Sequence, residues 1–256
     1  MFESIKNKKV LITGASGGIG SCMALLFAEY GASVGIHYND GERESSLLVD
    51  KIKKNGGNGA AFQADLTKES SKSVIPSFIN HFGGLDVLIN NAGAAVGLKD
   101  ILDLDEESWN KTFWLNARAP FFLAQSAFKH MKDNGGGRII NISSISVKYG
   151  GSSQTLHYGA AKSALETITL GLSKEGAKHN ILVNTVRGGY IETPMHEKMG
   201  RKNHKERIDM IPLKKAGKPQ DMAGMVLFLT SEGGDFITGE TFTVAGAIKQ
   251  ASKYGL

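Results

Sequence analysis

Lys9-Val-Leu-Ile-Thr-Gly-Ala-Ser-Gly-Gly-Ile-Gly20 is the stretch whose reading decides the fold. Lys9 to Ile12 is a short apolar run ending at Thr13-Gly14, the pattern of a buried strand. Ile19 to Tyr30 then reads as a helix, closed by Gly31 just past its end. A strand feeding a helix through glycines brings backbone N–H groups and the positive helix end to one point, where an anion can sit. The spacing misses the generic G-x-G-x-x-G fingerprint. It fits T-G-x-x-x-G-x-G instead, with Gly14, Gly18 and Gly20 in register and Ser16, Gly17 and Ile19 filling the turn. A plain strand-to-helix corner can look the same, so the rest of the chain has to support the reading.

Outward from that turn the rhythm continues. Further strands are expected at Val34–Tyr38, Ala60–Ala64, Asp86–Asn90, Arg138–Ile142, Ile181–Val186 and Glu240–Val244. Helices are expected at Arg43–Lys54, Lys68–His81, Glu106–Met131 with a kink at Pro120, Tyr158–Ala177 and Pro219–Thr230. Strands apolar on both faces, alternating with helices, predict an α/β fold. The expected architecture is a single Rossmann-type doubly wound parallel sheet of about seven strands with helices on both faces. There is no repeat or linker, so residues 1–256 read as one dinucleotide-binding and catalytic domain. Thr193 to Pro212 breaks the rhythm after a strand's carboxyl end, where α/β ligand crevices form, and reads as a substrate lid over 193–212.

Composition narrows the function classes. Hydrophobic residues make up 41% of the 256, enough for a sizeable core, and the 32 glycines cluster at element ends rather than in a disordered tract. The net charge of +5 is spread along the chain, and no DNA- or RNA-binding motif accompanies it, so a nucleic-acid partner is not expected. No apolar run reaches the ~18 residues of a membrane helix and the N-terminus has no apolar signal core, so a cytoplasmic protein without a membrane partner is expected. One cysteine, Cys22, and seven histidines without ligand spacing give no metal site.

Chemistry enters at Tyr158-Gly-Ala-Ala-Lys162, which shares one helical face at i and i+4. A free phenol titrates near 10. An ammonium about 4 Å away favours the phenolate by about 4 kcal/mol at an effective dielectric of about 20, or roughly 3 pKa units. Lys162 therefore brings Tyr158 toward working range, although Y-x-x-x-K by itself is common in ordinary helices.

Asn90-Asn91-Ala92-Gly93 after the fourth strand, Asn116 in the long helix and Asn141-Ile-Ser143-Ser144 after the fifth precede that pair in order. Pro219-Gln-Asp221 and Ile237-Thr-Gly-Glu240 follow it. Together these motifs resemble the short-chain dehydrogenase/reductase family over nearly the whole chain. The pattern looks most like 3-oxoacyl-carrier-protein reductases and sugar- or polyol-type dehydrogenases. The resemblance implies hydride transfer between a nicotinamide cofactor and a small carbonyl or alcohol, with Asn116, Ser144, Tyr158 and Lys162 catalytic. Tyr158 would exchange the proton. Lys162 would tune it and hold the nicotinamide ribose. Ser144 would bind the substrate oxygen, and Asn116 would anchor a proton-relay water.

The resemblance further implies cofactor contacts from the glycine turn, Tyr38, Asn39, Asp65, Leu66, Asn90, Asn91, Ala92, Gly93, Gly189, Ile191 and Thr193. Ser144 stands 14 positions before Tyr158, Ser143 15 and Ser146 12. Ser144 fits best, with one residue inserted in the Tyr149–Gln154 loop. Strand two ends in Tyr38-Asn39, where a ribose-binding acid would repel a 2′-phosphate. That favours NADP(H) over NAD(H), although Asp40 and Arg43 lie close.

Two departures stand out. The family's Pro-Gly after strand six is Gly188-Gly189 here, preceded by Arg187, and its C-terminal Asp-Gly-Gly is Ala245-Gly246-Ala247. The helix from Glu106 is apolar around much of its circumference, which by itself fits a deep core helix; the resemblance implies that it pairs with its copy in another subunit, so a homotetramer or homodimer is expected. A non-catalytic dinucleotide sensor is the competing class, and the complete Asn-Ser-Tyr-Lys set speaks against it.

Overall fold

The computed structural model describes residues 2–193 and 204–247. Its strands are β1 Lys9–Ile12, β2 Ser33–Tyr38, β3 Asn58–Gln63, β4 Val87–Asn90, β5 Gly137–Ser144, β6 Ile181–Gly188 and β7 Thr241–Val244. They form one sheet in the order β3-β2-β1-β4-β5-β6-β7, and every pairing is parallel. The winding reverses between β1 and β4, which is the crevice where open α/β sheets take ligands. The glycine turn after β1 and Asn91–Gly93 after β4 both emerge there.

The main helices are α1 Gly18–Glu29, α2 Glu42–Lys54, α3 Val74–Phe82, α4 Glu106–Phe113 and α5 Ala119–Asp133. After β5 come α6 Ser146–Tyr149, α7 Leu156–Ala177, α8 His204–Met210 and α9 Pro219–Thr230. Alternate residues of each central strand supply two cores. Val10, Ile12, Val34 and Ile89 pack with Met23 and Phe27 of α1 and Met222 of α9. Leu11, Leu88, Ile139 and Val183 pack with Phe78 of α3 and Leu123 and Met131 of α5 on the other face. All eight residues of β6 are buried, as a strand covered on both sides must be.

Three expectations change. The single helix expected from Glu106 to Met131 is α4 and α5 joined by a wide π turn, Trp114–Arg118. Pro120 has no N–H to give the carbonyl of Asn116 four residues earlier, so the regular ladder cannot run through. The helix expected from Lys68 begins as a tight 3₁₀ turn, Glu69–Ser73, before α3. β5 and β6 each extend two residues past their apolar runs, because Ser143, Ser144, Arg187 and Gly188 continue the ladder. Of the expected lid, 194–203 lie outside the described residues, and α8 takes up 204–210 of the rest.

Candidate active site

The glycine turn is shaped for close approach. Gly14 and Gly18 have φ of +61° and +57°, a region costly for other residues. A side chain at Gly20 would strike the Gly14 carbonyl at 2.5 Å, whereas one at Gly17 would meet nothing within 4 Å. Gly17 therefore faces open space at the N-terminus of α1. Thr193 is brought against this turn, 3.5 Å from where a Gly18 side chain would stand. Open backbone at a positive helix end fits a pyrophosphate.

Two residues hold the turn that the sequence reading did not single out. Thr13 Oγ1 accepts the N–H groups of Asn91 (2.9 Å) and Ala92 (3.0 Å), locking the β1 and β4 loops together. His37, buried in β2, accepts the Gly14 N–H on Nδ1 at 3.2 Å, while its Nε2 bonds the Ala64 carbonyl at 3.0 Å. Since a carbonyl only accepts, Nε2 carries the proton. Burial keeps this imidazole neutral by lowering its pKa from 6.5 to about 4. A histidine in an otherwise apolar strand was the available signal.

Several expected cofactor contacts have other employment. Asn91 Nδ2 donates to the carbonyls of Thr13 and Gly14, so it braces the turn from behind. Asn90 is sealed inside the sheet, donating to Asn141 Oδ1 and the Pro120 carbonyl, and cannot line an adenosine. Leu66 and Ile191 bury their side chains in the two cores, leaving only backbone to face a ligand. Asp65 Oδ1 accepts from the Thr67 backbone and hydroxyl, which with Lys68 holds its carboxyl below the usual range. Gly189 is pressed against Ala245, where a side chain would stand at 2.7 Å, and its N–H goes to Val244. Tyr38 ends β2 half-buried; beyond it Asn39 Nδ2 donates to Asp40 Oδ2 at 2.8 Å.

Three of the four expected catalytic side chains, Asn116, Tyr158 and Lys162, come together around Lys162. Tyr158 and Lys162 share a face of α7, with Nζ 5.7 Å from the phenol ring centre. Lys162 is fully buried and donates to the Ile142 carbonyl at 2.8 Å. Burial pushes its ammonium down from 10.5 to about 7. Asn116 sits in the π turn, its Nδ2 donating to the carbonyls of Ala94 (2.7 Å) and Thr112 (2.8 Å). Its Oδ1 is buried without a partner among the described residues. Gly93 leaves the gap: a side chain there would meet Asn116 Oδ1 at 2.5 Å and Lys162 Nζ at 2.9 Å. An orphan acceptor and an ammonium thus share one small space.

Geometry also separates the serines. Ser143 turns away and donates to Glu166 at 2.7 Å. Ser144, half-buried at the end of β5, donates to Ser146 Oγ at 3.1 Å and accepts the Ser146 N–H at 3.2 Å. Ser146 opens α6 and is buried. A side chain on Gly159, next to Tyr158, would stand 3.4 Å from the Ser146 carbonyl, which sets this segment against the start of α7.

A family model described as enoyl-(acyl carrier protein) reductase matches residues 14–247. The chain belongs to the short-chain dehydrogenase/reductase family. Within that family it is 34% identical to a 3-oxoacyl-[acyl-carrier-protein] reductase of Thermotoga maritima, covering 95% of this chain and 98% of the relative. It is 33% identical to a hydroxynaphthalene reductase-like protein of Metarhizium brunneum, over 95% and 96%. A blue fluorescent protein from a metagenomic library, solved with NADPH, superposes with a TM-score of 0.88 at 31% identity, over 95% and 98%. Acetoin dehydrogenase of Salmonella typhimurium superposes at 0.86 with 33% identity, over 94% and 96%. As a member, the chain is a nicotinamide dinucleotide-binding oxidoreductase that interconverts carbonyl and hydroxyl groups of small molecules. Among the described residues no helix is long and apolar enough to cross a membrane, and no cluster of side chains could hold a metal ion.

Proposed function

We propose that this protein is an NADPH-preferring carbonyl reductase in which Tyr158 protonates the substrate oxygen. Bound NADPH supplies the hydride. As the C=O π electrons move onto oxygen, Tyr158 delivers its hydroxyl proton there, and Ser144 Oγ–H donates a hydrogen bond to the same atom. In the oxidative direction Tyr158 takes that proton back. Lys162 stabilises the transient phenolate by Coulomb attraction, its Nζ lying 5.7 Å from the ring centre. Asn116 Oδ1 and Lys162 Nζ line the space through which a replacement proton reaches Tyr158.

The observation that carries this reading is the buried Lys162 ammonium, 5.7 Å from the Tyr158 ring centre and sharing the gap at Gly93 with the orphan Asn116 oxygen. The favoured substrates are small ketones and 3-oxoacyl thioesters, the second being the class in the name of the Thermotoga maritima relative. NADPH is preferred because Tyr38-Asn39 ends β2 without an acid and Asp40 is engaged by Asn39, and one structural relative holds NADPH.

A panel of ketones, 3-oxoacyl thioesters and polyols, followed by NAD(P)H absorbance, tests it. Tyr158→Phe should lower kcat at least about a hundredfold with cofactor binding nearly unchanged. Full turnover in that variant removes the assigned role, and a higher kcat/KM with NADH than NADPH removes the cofactor preference.

A further inference from the structure

A buried polar cluster lies directly beneath the site and takes no part in proton transfer. Glu166 follows Tyr158 and Lys162 at successive i+4 steps, so it points from the same face of α7. Its carboxylate meets Arg187 of β6 through two bonds, Nε to Oε1 at 2.9 Å and Nη2 to Oε2 at 2.5 Å. The side chains are only 14% and 8% exposed. Glu166 Oε1 also accepts from Ser143 of β5 at 2.7 Å, and Arg187 Nη1 donates to Thr243 of β7 at 3.0 Å.

Register explains where this cluster acts. Ser143, Arg187 and Thr243 are direct neighbours across β5, β6 and β7. The next row toward the site is Ser144, Gly188 and Val244. One helix thus grips three strand ends, one residue before the substrate-oxygen serine and the glycine pair beside the nicotinamide position. That pair carries no proline, and a Gly-Gly step is loose unless something outside it fixes the backbone. Stability alone is a poor reason for such a pair, because well-packed apolar replacements often serve as well.

We propose that the Glu166–Arg187 pair is a positioning device for hydride transfer. It clamps the carboxyl ends of β5, β6 and β7 to α7, so that Ser144 and Gly188-Gly189 keep their places relative to Tyr158. This rests on the reading of Tyr158 and Ser144 as the carbonyl-reducing pair.

The test is the double variant Glu166→Leu/Arg187→Met, which removes both charges together, assayed beside Ser143→Ala, which cuts one tie and leaves the ion pair. The double variant should melt near the parent temperature and bind NADPH within about threefold of parent. Its kcat for a ketone should fall tenfold or more, with KM little changed and the midpoint of the pH profile unmoved, since Tyr158 and Lys162 are intact. Ser143→Ala should lose about threefold in kcat at unchanged melting temperature, and it decides the matter if the double variant does not fold. Parent-like kcat in the folded double variant, or in Ser143→Ala where the double variant fails, overturns the clamp while leaving the proposed reaction standing. A parent chain inert toward every carbonyl overturns both.

Discussion

Lys162 shows how a single residue trades stability for chemistry. Its ammonium is fully buried and donates a hydrogen bond to the Ile142 carbonyl. The folded pKa is depressed from 10.5 to about 7. The unfolded chain therefore binds more protons between those two values, and the fold gains stability as pH rises through that window. Below about pH 7 the full cost of burying the charge is present. Lys162→Met, similar in length and uncharged, should abolish most turnover yet raise the melting temperature by a few degrees at pH 7. That gain should shrink as the pH is raised toward 9.5 and should be flat below 7. Differential scanning calorimetry across that range checks it; a variant less stable than its parent at pH 7 would show that the lysine's contacts outweigh its desolvation.

At the scale of an element, the π turn between α4 and α5 is the device that aims Asn116. Pro120 removes the N–H that would bond the Asn116 carbonyl, and Asn116 Nδ2 bonds the Thr112 carbonyl one turn back. The orphan Oδ1 is then left facing the gap at Gly93. Pro120→Ala restores the donor and lets the turn close toward an ordinary helix, rotating Asn116 out of that gap. The expected result is about a tenfold loss of kcat, with helix content and melting temperature equal to or slightly above the parent's, read by circular dichroism. Unchanged kcat would mean the turn is held by packing rather than by the proline. A helix pattern reads apolar spacing, which runs unbroken from Phe113 to Phe128, so only the kink at Pro120 was foreseeable and not its form. The same limit hid the ends of β5 and β6, where polar residues continue a ladder that periodicity assigns to apolar ones. Spacing to Tyr158 favours Ser144 over Ser143, and the structure adds that Ser143 is taken by Glu166.

Across the whole molecule, the parallel sheet and its two buried faces followed from apolar strands alternating with helices, because a parallel sheet covered on both sides leaves no other use for them. Contacts that depend on which polar groups find each other, such as His37 with Gly14 or Asn90 with Asn141, carry no sequence period and could only be seen in three dimensions. Assembly belongs to this scale too. Trp109 and Phe122 are 38% and 43% exposed on the α4–α5 side. Trp109 stacks on Phe113, and the Arg118 guanidinium lies 4.0 Å from the Trp114 ring centre and 4.9 Å from that of Phe122. An aromatic and arginine surface with few charges has the composition of an interface core rather than of a solvated face. The parent should therefore run as a homotetramer or homodimer in size-exclusion chromatography with light scattering. Phe122→Asp should shift it toward monomer and, by loosening the π turn beside it, lower kcat. Leu47→Asp, equally apolar but exposed on α2, should change neither. A parent that is monomeric at micromolar concentration, or a Phe122→Asp variant that keeps the parent's mass, would assign this aromatic face to something other than a second copy of the chain.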